Sequence, residues 1–148
     1  MQNTEKLGKK IFMRFSKDKE SCLFCNLPSE RIIKKTKYFN IIKDLYPISK
    51  GHTLITSINH YRYLRDLPEE AVKELWSLVI VTQKLLMKEY VCSDFNIGIN
   101  DGPDAGRSVH HLHIHLIPRR SGDMENPRGG VRGVIPEKQK YVKKNEII

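Results

Sequence analysis

Gly106-Arg-Ser-Val-His110-His-Leu-His113-Ile-His-Leu-Ile-Pro-Arg119 contains four of the chain's six histidines within six residues. Three of them, His111, His113 and His115, alternate with Leu112, Ile114 and Leu116. Strict alternation is the period of a β-strand, whose successive side chains point to opposite faces. The expectation is a strand with three imidazoles on one face, spaced by roughly 6.5–7 Å, and three aliphatic side chains turned to a core.

Working outward, Arg31 to Lys35, Tyr38 to Lys43, His52 to Ser57 and Phe95 to Asn100 read as further strands, the first two as a hairpin turning near Lys37. Asp44-Leu-Tyr-Pro-Ile-Ser-Lys-Gly51 is a loop by its Pro and Gly. One long helix is expected from about Asp66-Leu-Pro-Glu69 to Tyr90. Asp66 would cap it, with Pro68 in its first turn and Glu69 completing a capping box. Val72, Leu75, Trp76, Val79 and Leu86 form its apolar stripe, with Trp76 expected in the core. Cys92 reads as a small buried hydrophobe just after it. Residues 1–20 form a basic extension in which Leu7, Ile11, Phe12 and Phe15 have near-helical spacing. Residues 124–148, with Gly129-Gly130, read as an irregular tail. Strands, one helix, then strands give an antiparallel α+β domain over residues 21–123.

The 148-residue length suits one domain, and 39% hydrophobic with 29% charged residues suits a globular chain. No run approaches the ~18 apolar residues of a spanning helix. No apolar signal segment opens the chain, so cytoplasm is the expected location, and an odd number of cysteines, three, argues against a disulfide framework. The formal charge of +9 favours anionic partners. Nucleic-acid binding would rest on that charge alone, much of which is spread singly, with its densest clusters at the two ends.

The histidine run admits two chemistries. Neighbouring imidazoles can share a metal, or one neutral imidazole can act as nucleophile or base near pH 7. The glycine-rich loop ending at Gly106, with Arg107 and Ser108, adds backbone N–H groups, a guanidinium and a hydroxyl, all donors to phosphate oxygens. Phosphate donors beside a histidine nucleophile point to nucleotidyl or phosphoryl transfer. Cys22-x-x-Cys25 has metal-ligand spacing but needs two more ligands for a closed site. A free buried pair and a redox pair are the other readings, and Pro28 leaves little room for the helix that a redox motif opens.

His111-Leu-His113-Ile-His115-Leu-Ile117 resembles the signature of the histidine triad (HIT) family. Asn100 to Val109 leading in, Ile117 to Asp123 leading out, and Asp44 to Ile55 upstream resemble its fragile-histidine-triad and dinucleoside polyphosphate hydrolase branch, over roughly residues 20–123. The resemblance implies a HIT-like fold with a sheet of about five strands, one long helix and a short N-terminal helix. It implies His113 as nucleophile, forming a nucleotidyl-histidine that water hydrolyses without a metal in the chemical step, with His115 and His52 on the phosphate side and His111 completing the triad. Ser108 would stand near the α-phosphate, Asn100 against phosphate or ribose, and Asp44 on the ribose hydroxyls. Arg107 stands where many relatives have Gln, which adds a fixed charge and removes an acceptor.

In zinc-containing bacterial relatives a CxxC pair, a histidine after the Gly-His-Thr-Leu strand and the first triad histidine hold the ion; here these are Cys22, Cys25, His60 and His111. The resemblance therefore implies a structural zinc, purine nucleotides such as adenine nucleotides as substrate, Ap4A among them, and a homodimer through the helix and adjacent sheet edge, with no membrane partner. Alternatives are a nucleoside phosphoramidase, a dinucleoside polyphosphate phosphorylase, and a nucleotide-binding regulator with incidental turnover.

Overall fold

Five segments pair into one antiparallel sheet: β1 (Ile32–Lys35), β2 (Phe39–Lys43), β3 (Thr53–Ser57), β4 (Asp94–Gly98) and β5 (His113–Arg119). Their order across the sheet is β1-β2-β3-β5-β4, so the histidine strand is interior and β1 and β4 are the edges. The structure, a computed structural model, describes residues 19–140. The helix expected within residues 1–20 and the end of the tail fall largely outside the described residues.

Cross-strand partners share a face, and two rows decide the architecture. Ile41, Ile55 and Ile114 lie opposite one another, as do Leu116 and Ile97. This face packs on α1 (Glu69–Tyr90), which buries Ala71, Leu75, Leu78, Val79 and Leu86 against it. The alternate row, Ile42, Leu54, His115 and Gly98, faces away from the helix. A second apolar cluster of Cys22, Phe24, Ile42 and Leu54 covers the β2–β3 end of that face and leaves the β5–β4 end open. Pro118 fits an interior strand because β3 pairs β5 only as far as Leu116, beyond which no ladder bond from β3 is lost.

Two expectations about the helix need correction. Asp66 does not cap it: its carboxylate accepts from the Tyr63 N–H, closing a separate short turn at Leu64–Asp66, and Pro68 is the N-cap residue with no side-chain cap bond. Trp76 is 53% exposed, because the core-facing stripe runs through Ala71, Leu75, Leu78 and Val79 and turns Trp76 outward beside β4. Cys92 is half-buried after the helix, not in the core. Gly51 takes a left-handed φ of 93° where a side chain would run into the Tyr90 ring at 2.8 Å, which brings the β2–β3 loop down beside the helix end.

Candidate active site and metal centre

The strand expected to carry three imidazoles carries two. β5 begins at His113, and its alternation puts His113 and His115 on the face away from α1. His111 precedes the ladder: the Leu112 N–H donates to the Tyr61 carbonyl, and the His111 ring lies fully buried against Ser57 instead. The three imidazoles are therefore inequivalent by construction.

His113 Nδ1 lies 2.8 Å from the carbonyl oxygen of His111. Only a protonated nitrogen can donate there, so Nδ1 carries the hydrogen and Nε2 keeps its lone pair. Burial lowers the pKa of His113, and the Arg107 guanidinium adds to this, while the His111 carbonyl and Asp44 oppose it. The ring is 94% buried, with Phe24 packed 5.1 Å away. The imidazole is neutral at pH 7.

His115 belongs to a second set. The Ile48 N–H donates to His52 Nδ1, which leaves His52 Nε2–H to donate to His115 Nδ1 at 3.0 Å. His115 consequently keeps Nε2–H as a donor. Asp44 Oδ2 lies 3.5 Å from His52 Nε2 and 4.0 Å from His115 Nδ1, while Oδ1 accepts from the Tyr46 N–H. Burial, with His113 and His52 adjacent, pushes His115 down to about 4 despite Asp44. Burial also lowers His52, against the same carboxylate.

On the other side of His113, Cys22, Cys25, His60 and His111 place four donor atoms within 4.8 Å of one another. Cys22 Sγ and Cys25 Sγ lie 3.3 and 3.5 Å from His111 Nδ1, and Cys25 Sγ lies 3.1 Å from His60 Nδ1. A tetrahedral zinc with bonds of ~2.1–2.3 Å separates its ligands by roughly 3.4–3.8 Å. Two thiols and two imidazoles at this spacing fit that ion closely. His111 is oriented for it: Nε2–H donates to the Ser57 carbonyl at 2.7 Å, with Ser57 Oγ at 3.0 Å, so the Nδ1 lone pair faces the sulfurs. Burial, reinforced by His60 and His113, holds His111 down at about 4, while the Ser57 carbonyl opposes. Burial and the Cys22 thiol push Cys25 up to about 12. A cation placed between these groups would reverse that preference.

The remaining expected residues divide. Asn100 lines an open cleft of about 680 Å³ that starts at His52 and His115 and runs over β5 and β4. Ser108 is exposed at the loop that precedes His111. Arg107 is 92% buried, lies 4.6 Å over the Tyr63 ring and donates to the Arg62 carbonyl, so its charge is engaged inside the protein. His110 is exposed.

Three contributions escaped sequence reading. Ser57 fixes the His111 tautomer, yet in sequence it is one more polar residue ending a β-rich run. Phe24 sits inside the CxxC and reads as spacer, although it packs on both His111 and His113. Arg119 clamps Asp123 at 2.7–2.8 Å and donates to Asn96 Oδ1, and the i,i+4 charge spacing was the available signal. The cleft's far wall comes from the tail, through Met124, Gly130, Val131 and Val134.

The HIT domain profile matches residues 26–122. The chain is 36% identical over 93 residues, 63% of its length, to the asymmetrical bis(5'-nucleosyl)-tetraphosphatase of Schizosaccharomyces pombe. It is 33% identical over 98 residues, 66% of its length, to the nitrilase and fragile histidine triad fusion protein NitFhit of Caenorhabditis elegans. The matches span 51% and 22% of those two proteins. A crystal structure of a zinc-bound histidine triad family protein from Mycobacterium smegmatis superimposes with a TM-score of 0.65 at 32% identity, covering 73% of this chain and 81% of that one. With the five-stranded sheet, the imidazole pair on its interior strand and the profile match over most of the described residues, the chain belongs to the HIT domain family.

Proposed function

We propose that the protein is a hydrolase of dinucleoside polyphosphates, Ap4A-like in preference, acting at the α-phosphate through a nucleotidyl-histidine on His113. The observation that carries this reading is the His113 Nδ1–H bond to the His111 carbonyl, which leaves a buried, neutral Nε2 as the attacking lone pair. Nε2 forms a bond to the α-phosphorus, and the bond from that phosphorus to the bridging oxygen breaks. Its electron pair leaves on the nucleoside polyphosphate, an anion that needs no proton to depart. Water then attacks the same phosphorus and gives up one proton to solvent, the N–P bond breaks back onto the imidazole, and a nucleoside monophosphate is released.

In this reading His115 Nε2–H donates to a phosphate oxygen, and His52 holds His115 in the tautomer that makes this possible. Asp44 accepts the ribose hydroxyls, Asn100 and Ser108 serve the phosphates, and Arg107 acts on His113 electrostatically from behind Tyr63. The relatives named as tetraphosphatase and as fragile histidine triad fusion support the substrate class. We also propose zinc at Cys22, Cys25, His60 and His111. When bound, it would tie the Cys22–Cys25 segment to the residue whose carbonyl orients His113. Self-association along β4 and α1 belongs to the same proposal. It is supported by a β4 edge that no described strand pairs, next to Trp76, and by Trp76 and Ile80 on α1, each 53% exposed. We assign the cytoplasm as location; among the described residues no helix is long and apolar enough to cross a membrane.

The deciding experiment is acid-quench trapping with excess enzyme. A mass gain of one nucleotidyl group on the peptide containing His113 is expected, and its absence in a turning-over enzyme would remove the covalent step. A second reading comes from Asp44, His52 and His115, whose three donor atoms are close enough to share a cation. It requires turnover to vanish with a chelator that leaves the cysteine site loaded. A panel comparing diadenosine tetraphosphate with an adenosine phosphoramidate, with and without inorganic phosphate, separates hydrolase from phosphoramidase and phosphorylase; tight binding with negligible turnover of all of them would mark a regulator.

A further inference from the structure

The sheet order puts the imidazoles between two unlike flanks. Asp44 follows β2 on one side, His52 and His115 occupy β3 and β5, and the open cleft continues across β4 to the C-terminal coil on the other. We propose that this coil, through Met124, Val131 and Val134, forms a second nucleoside subsite that holds the base of the leaving half of the substrate. The inference rests on the dinucleoside polyphosphate reading above.

Three observations carry it. First, the cleft changes character along its length. At His52, His115 and Asn100 it is polar, and from Ile117, two residues or about 7 Å further along β5, its lining takes in Met124, Val131 and Val134. The one guanidinium at that end, Arg119, is already paired to both carboxylate oxygens of Asp123 and to Asn96, so it offers no open charge for a terminal phosphate. A flat, uncharged group linked to phosphates fits such a gradient, and a nucleobase is that group. Second, Gly98 lies directly across from His115, with nothing within 4 Å of where its Cβ would stand, so the cleft floor beside His115, from which the apolar end is reached, is kept clear.

Third, the coil is a built wall. The Arg119–Asp123 pair anchors its start to the sheet. Its short turns at Gly130–Val134 and Pro136–Lys138 close on each other through a bond from Arg132 to the Lys138 carbonyl. Gly129 takes a left-handed φ of 88°, and a Cβ there would stand 2.2 Å from the Gln139 carbonyl oxygen. A coil held this tightly still leaves Val131 and Val134 at 65% and 79% exposure on the cleft rim, where a base would cover them.

The test compares diadenosine tetraphosphate with adenosine 5'-tetraphosphate, which presents the same reacting phosphate but lacks the second nucleoside. Full-length protein and the double variant Val131→Ser/Val134→Ser are assayed for kcat/KM on both. Removing two apolar contacts is expected to reduce the preference for the dinucleotide by about tenfold, as is usual for lost apolar pocket contacts. Activity on adenosine 5'-tetraphosphate should stay within about twofold. Both valines are exposed, so an unchanged melting temperature is expected and separates lost contact from lost fold. Wild-type protein with no preference for the dinucleotide, or a preference undiminished in the variant, overturns the subsite while leaving the hydrolase reading intact. Wild-type protein that cleaves neither compound overturns both.

Discussion

His111 and His115 lie two residues to either side of His113, both are held down at about 4, and they serve opposite surroundings. Around His111 the partners are two thiols and another imidazole, with Ser57 behind and no exposed surface. Around His115 they are a carboxylate and an imidazole at the mouth of a cleft. The difference shows that depressed basicity alone does not assign a role to a histidine. What the second nitrogen meets does: sulfur for His111, open cleft for His115. His113 between them is tied to the first side by its bond to the His111 carbonyl and faces the second through β5's alternation.

The largest test of this division is His113→Ala, expected to lower kcat by on the order of 10⁴-fold or more, with diadenosine tetraphosphate affinity held within a few-fold. Substantial residual turnover would break the assignment of the middle residue. Next come paired variants that should move different observables. His115→Ala is expected to lower kcat about a hundredfold and to leave zinc, measured by atomic absorption, at one per chain. Cys25→Ser should strip the zinc and lower the melting temperature by about 10 °C or more. Any variant that moves both observables equally would merge the two sites into one.

Smaller effects follow from protonation. Zinc must displace the raised Cys25 proton, so its affinity should climb with pH by about tenfold per unit for that thiol, readable in competition with a chromogenic chelator. Turnover should be far less sensitive over the same range. Because the His113 and His115 pKa values are lowered, both rings stay neutral through the physiological range. For the zinc-loaded enzyme kcat/KM is expected to be flat above pH 6.5 and to fall only as pH drops through the lowered values. A limb centred above 6.5 would contradict the burial that sets the His113 pKa.

Alternation made β5 legible, and the alternating or β-rich runs on either side made the rest of the sheet legible, because local periodicity alone carries them. Helix extent was legible for the same reason. The facing of its apolar positions was not: Trp76 and Leu75 are adjacent in sequence, and only the angle at which α1 meets the sheet decides which is buried. The same limit applies to the site. A two-residue period extends the histidine face back through His111, whereas the bond from Leu112 to Tyr61 ends the ladder first. Arg107 reads as a phosphate ligand until Tyr63 and the Arg62 carbonyl, far away in sequence, are seen to hold it. The four metal-ligating candidates were legible through family pattern, and their convergence here is a matter of distances no spacing rule contains.

Trp76 has a practical consequence. It is the chain's only tryptophan, half-exposed on α1 beside the β4 edge, which no described strand pairs, and away from the open cleft. Its fluorescence is therefore a built-in optical gauge of that edge. Diluting the protein should red-shift the emission if a second copy shields the indole, and adding diadenosine tetraphosphate at fixed protein concentration should leave the spectrum where it was.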